Sequence, residues 1–153
     1  SFDHGVLGEF VAPLPKNIVP IAIQVAAQQR DVVELQRKAQ TEDQTVERSF
    51  VHILDVCDAV KLTLQWLQQQ NHILEHFDIS GHVSSIEKLI ATVERVTSTQ
   101  IVTIDSEYPV VELAQVASNS QKAQQILKWQ AQRSIQQMIE DEWRFYQNTL
   151  NHR

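Results

Sequence analysis

The chain has 153 residues, 42% of them hydrophobic, with 13 Lys and Arg against 19 Asp and Glu and a net charge of -6. That length accommodates one domain with a sizeable core, and the apolar fraction is too high for a disordered chain of such modest charge. The acidic balance argues against a nucleic-acid-binding surface, the lone Cys57 excludes an internal disulfide framework, and the absence of any apolar run of about 18 residues argues against a membrane-spanning helix.

Residues 1–17 contain Gly5, Gly8, Pro13 and Pro15 and read as an extended N-terminal arm. Helix signals begin at Asn17, with Pro20 tolerated in the first turn. No Gly or Pro occurs between Ile21 and Ser80, which predicts one long helix over 18–77. Such a helix far exceeds the usual length of about 11–12 residues. A break within the polar stretch 36–45 is the alternative. Val46, Phe50, Ile53, Cys57, Val60, Leu64 and Leu67 recur at alternating steps of four and three, the a/d seam of a helix packed on another helix. Leu54 and Val56 widen that face, as a bundle helix requires.

Ser80 and Gly81 mark a turn. Ser84 with Glu87 has capping-box spacing, and a helix over 84–97 follows with Ile86, Leu89, Ile90, Val93 and Val96 on one face. A short extended segment is expected at most near 100–105, where the residues are β-branched. A third long helix is predicted over 120–150, with a stripe including Ala123, Leu127, Ile135, Trp143 and Tyr146. Residues 18–153 therefore read as a single helical domain. The expected fold class is all-α, a helical bundle that pairs as a homodimer through the seam from Val46 to Leu67. Gly scarcity argues against a sandwich or barrel.

Few residues suggest chemistry. His72 and His76 are spaced for one helix face, and His82 follows a turn, so the three are metal candidates. Two histidines near a helix C-terminus, where the dipole favours them, are the structural alternative. Cys57 lies between Asp55 and Asp58, a setting that disfavours a thiolate, and reads as a buried small hydrophobe. Asp55 and Asp58, and the run Glu140-Asp141-Glu142, read as solvated helix faces. Trp66, Trp129 and Phe145 are candidate exposed anchors for a partner. No glycine-rich phosphate loop and no nucleophile elbow is present, so no cofactor is expected and the chain reads as a non-enzyme.

The run Ile53-Leu54-Asp55-Val56-Cys57-Asp58-Ala59-Val60-Lys61-Leu62-Thr63-Leu64 resembles the centre of the GrpE family, dimeric nucleotide exchange factors for DnaK-type chaperones. The resemblance covers about residues 28–116. Asp55 stands where that family has Pro, and Lys61 where it often has Glu. The family's terminal β domain, which carries exchange activity, has no counterpart in the helical stretch 120–150. The resemblance implies a homodimeric, cytoplasmic, non-enzymatic co-chaperone or assembly adaptor, partnered by itself and by a DnaK-type chaperone or another protein. The alternative is a helical ligand- or metal-binding protein using His72, His76 and His82.

Overall fold

A nine-residue helix, α1 (Ile18–Ala26), follows Asn17 and buries Val19, Ala22, Ile23, Val25 and Ala26. The computed structural model describes residues 17–35, 47–71, 74–106 and 119–151. The arm read over 1–17 therefore lies, apart from Asn17, outside the described residues, as do the polar stretch 36–45, Val46 and His72.

The long helix expected over 18–77 is not formed. The chain leaves the helix at Ala27 and turns at Gln28, which adopts a left-handed φ of 57°. It then enters a three-residue strand, β1 (Val33–Leu35). A second strand, β2 (Glu47–Phe50), precedes α2 (Ile53–Leu67). Scarcity of Gly and Pro did not imply continuity, because a non-glycine residue supplies the turn at a modest steric cost.

After α2 come β3 (His82–Ser85), α3 (Ile86–Thr97) and β4 (Thr103–Asp105). The side chain of Ser85, not Ser84, caps α3 by accepting from the Lys88 N–H at 3.3 Å. The helix expected over 120–150 is two: α4 (Gln121–Leu127) and α5 (Ile135–Asn151). Lys128 closes α4 in the left-handed region, at φ 57°. The connector that follows carries Trp129 and Arg133.

The all-α expectation is thus corrected to a mixed α/β chain. β1 pairs with β4 in parallel, Val33 opposite Thr103 and Leu35 opposite Asp105. β2 pairs with β3 antiparallel, Arg48 opposite Ser84 and Phe50 opposite His82. These strands are too short to display alternation, and their pairing joins residues remote in sequence.

Two cores result. In the larger, α1 packs on α3 and α5, burying Ile23, Leu89, Val93 and Ile139 together with Val33 and Phe50. In the smaller, Ala59 of α2 meets Ala123 and Leu127 of α4, with Val51 and Trp129. Phe77 and Ile79 pack against the smaller core, and Trp66 meets the Phe77 ring edge-on at 5.4 Å between centroids. Among the described residues, no helix is long and apolar enough to cross a membrane.

Candidate functional site

The two cores are tied together at the start of α2. His52 is 3% exposed. Its Nδ1 accepts from the Leu54 backbone N–H at 3.1 Å, so in the neutral ring Nε2 carries the proton. Nε2 donates to Asp141 of α5 at 3.2 Å. Three residues on, Asp55 is 1% exposed. One carboxylate oxygen accepts from the backbone N–H groups of Gln132 and Arg133 at 3.2 and 3.0 Å, and the other meets the Arg133 guanidinium. Trp129 Nε1 donates to the Asp55 carbonyl at 2.8 Å. Arg133 also reaches Asp58 at 3.0 Å, and these carboxylates, Asp58 first, hold its guanidinium above its ordinary pKa.

The solvated face expected for Asp55 from sequence is therefore corrected: the side chain is buried. Its burial depends on Arg133 and Trp129, which arrive from a distant segment. The one local signal is the spacing of His52 and Asp55, a helix cap followed three residues later by an acid. Asp58 and Asp141 remain about half exposed.

Beside this junction lies a polar cleft of about 490 Å³. Ser80, Gly81 and His82 form one wall, and Asn119, Ser120, Gln124 and Gln130 the other, with Trp129 at the base. The walls are cross-braced. Ser49 Oγ lies 2.9 Å from Ser80 Oγ and accepts from the Gly81 N–H at 3.0 Å; Ser120 Oγ donates to the Ser80 carbonyl at 3.4 Å. Gly81 is obligatory for this approach, because a Cβ there would lie 1.8 Å from the Phe50 carbonyl oxygen. At the outer edge Lys122 pairs with Glu75 and sits 5.5 Å over the Phe77 ring. The Lys122 hydrogen bond, aided by the His76 backbone N–H, holds the Glu75 carboxyl below its usual pKa. Hydroxyl and carboxamide groups dominate the cleft, which suits a neutral polyhydroxyl ligand better than a metal.

The residues expected to form a helix seam are dispersed. Phe50 is in β2 and 2% exposed, Ile53 opens α2 half-buried, and Val46 lies outside the described residues. Val60, Leu64 and Leu67 are exposed on α2, at 54, 57 and 46%. Cys57 is exposed on the same face rather than buried. Of the expected anchors, Trp129 is core, Trp66 is half-buried against Phe77 and Phe145 is exposed. His76 is exposed and bonds Asp78 at 3.0 Å, while His82 lines the cleft. Among the described residues, no group of three or more His, Cys, Asp and Glu is placed to hold a metal.

No protein-family model matches the chain. It is 30% identical over 150 residues to the UDP-glucose 4-epimerase of Lacticaseibacillus casei, a match covering 97% of this chain and 45% of that protein. It is 25% identical over 150 residues to UDP-glucose 4-epimerase 2 of Arabidopsis thaliana, covering 97% of this chain and 43% of the relative. The structure superposes with a TM-score of 0.84 on the Stenotrophomonas maltophila UDP-glucose 4-epimerase with bound NAD and formylated UDP-arabinopyranose. That match has 25% identity and covers 96% of this chain and 44% of the other. The Bifidobacterium longum enzyme with NAD+ and UDP gives a TM-score of 0.82 at 20% identity, covering 95% and 43%. The chain thus spans less than half the length of the relatives it matches.

These matches overturn the resemblance to GrpE. They run along nearly the whole chain, whereas the GrpE-like run Ile53–Leu64 is a heptad pattern confined to the single helix α2. The co-chaperone function, the non-enzyme reading, the homodimeric bundle and the DnaK-type partner fall with it. The alternative of a helical ligand- or metal-binding protein using His72, His76 and His82 finds no support in the same matches.

Proposed function

We propose that these residues form the sugar-nucleotide-facing part of an NAD-dependent UDP-sugar 4-epimerase. The observation that carries this reading is the superposition, over 96% of the chain, on an epimerase bound to NAD and a UDP-sugar. The cleft between Ser80–His82 and Asn119–Gln130 supports it, because hydroxyl and amide groups are suited to hexose recognition by hydrogen bonds.

Among the described residues, none forms a cradle that fits NAD itself. A dinucleotide pyrophosphate is held where a strand passes through a glycine-rich turn into a helix, against free N–H groups. Among the described residues, the two strand-to-helix passages, into α2 and into α3, cap themselves. His52 occupies the start of α2 and Ser85 the start of α3. Neither turn contains glycine; the three glycines of the sequence are Gly5, Gly8 and Gly81. Holding the dinucleotide is therefore assigned to residues other than these.

Saturation-transfer NMR with UDP-galactose tests the reading. Transfer to the hexose protons is expected, and Gln124→Leu should weaken it. Equal transfer to UDP-galactose and to an unrelated nucleotide such as AMP, or none to either, would sink the proposal.

A further inference from the structure

We infer that His52 is a proton-operated switch at the junction of the two cores: the neutral ring caps α2, and the protonated ring releases that cap while keeping its hold on α5. The inference goes beyond the epimerase reading and does not depend on what the cleft binds. Two ties join the start of α2 to the chain after α4. One runs from Asp55 to Arg133 and Trp129, the other from His52 to Asp141. The first is held by a guanidinium, which no ordinary pH neutralises. The second passes through an imidazole, the side chain type that ordinarily changes charge between about pH 5 and 8.

Each ring nitrogen of the buried His52 has a fixed task. Nδ1 accepts the Leu54 N–H, one of the first-turn donors that no carbonyl within α2 can reach. Nε2 donates to Asp141. A protonated imidazole donates at both nitrogens and accepts at neither. Nδ1–H then faces the Leu54 N–H, donor against donor. Nε2–H becomes a charge-assisted donor to the Asp141 carboxylate. One proton thus acts in opposite senses at the two ends of the ring. The charges around it do not replace the lost cap. On α5, the second oxygen of Asp141 accepts from Arg144 at 3.1 Å. On α2, the Asp55 carboxylate is taken up by the Gln132 and Arg133 backbone and by the Arg133 guanidinium, and Asp58 is engaged by that same guanidinium. On β3, His82 stands opposite Phe50, two residues before His52. The opening is local, because the His52 carbonyl still accepts from Asp55 and Val56 at 3.0 and 3.2 Å and the Asp55 tie stays in place.

One NMR titration of the isotope-labelled chain, from about pH 8 to about pH 5, follows the His52 ring nitrogens and the Leu54 amide together. Leu54 protection against hydrogen exchange is corrected for the intrinsic rate and compared with that of Leu89, buried in the larger core. At the alkaline end the ring proton is expected on Nε2. As the ring takes up its second proton, Leu54 protection should fall by about fivefold or more, the scale of a lost cap, while Leu89 holds. His52→Asn supplies a capping oxygen that does not titrate, so its Leu54 protection should stay level. The inference is overturned by a ring that protonates while Leu54 stays protected, or by one that remains neutral to the acid end. An equal loss at Leu89, which signals global unfolding, overturns it too, as does the same fall in His52→Asn. If that variant does not fold, the coincidence of ring and amide in the parent decides alone.

Discussion

Arg133 holds Asp55 with two different groups: its backbone N–H donates to one carboxylate oxygen at 3.0 Å, and its guanidinium engages the other. The backbone contact fixes where the connector after α4 passes α2, and the guanidinium neutralises a charge that is almost fully buried. The same side chain reaches Asp58, but that carboxylate is 54% exposed.

The two aspartates should therefore respond differently to substitution. Asp55→Ala leaves the Gln132 and Arg133 backbone N–H groups without their acceptor and the Arg133 guanidinium with Asp58 alone, a loss of about 1–3 kcal/mol. Asp58→Ala removes a solvent-screened pair and should leave the midpoint of urea unfolding nearly unchanged. Similar midpoints for the two variants would show that the buried contact is not the stronger one.

At Gly81 the obstacle is backbone rather than side chain. A methyl group would meet the Phe50 carbonyl and the Val51 Cα, neither of which can rotate away. Gly81→Ala is expected to destabilise by about 1–3 kcal/mol, as overpacking does, and to separate β2 from β3. Hydrogen exchange across Glu47–Phe50 and His82–Ser85 reads the separation; unchanged protection in a stable variant would contradict it.

Glu142 on α5 supplies a pH dependence. Burial raises its carboxyl pKa above the ordinary value, so the folded state resists its ionisation. Below the unfolded-state pKa the group is protonated in both states and carries no penalty. As pH rises through the higher folded value, stability is lost. Glu142→Gln should be more stable than the parent at neutral pH, with the difference closing on acidification below the normal carboxylate range. Thermal melts of both proteins across that range check the sign; a difference that widened towards acid would reverse it.

What was readable in the sequence was local and one-sided. The stripe Ile86, Leu89, Ile90, Val93 and Val96 on α3 is visible from spacing because one helix face faces the larger core. Of the strands only β4 falls in a segment, 100–105, that reads as extended, and β1, β2 and β3 were invisible for the opposite reason. β1 and β4 have three residues each, and what defines them is their parallel pairing. The α2 seam was visible as apolar spacing, but spacing does not distinguish a second helix from a different kind of partner. Asp55 and Cys57 were misplaced in complementary ways. Each was assigned from its immediate neighbours, while Arg133 and Trp129 bury the first and the orientation of α2 exposes the second. The polar cleft joins residues near 80 to residues near 120, a juxtaposition with no local motif.

The parallel pairing of β1 with β4 also bears on how the chain reaches its fold. Val33 meets Thr103 only after β2, α2, β3 and α3 have been threaded between them. Closing so long a segment is entropically opposed, although each doubling of loop length adds only about 0.6 kcal/mol. Local helices and the β2–β3 contact can form before that closure, so the clasp belongs to the late side of the folding barrier. Weakening it should accelerate unfolding while leaving the folding rate almost untouched. The smaller of the two described sheets would then govern how long the native state persists rather than how quickly it is found.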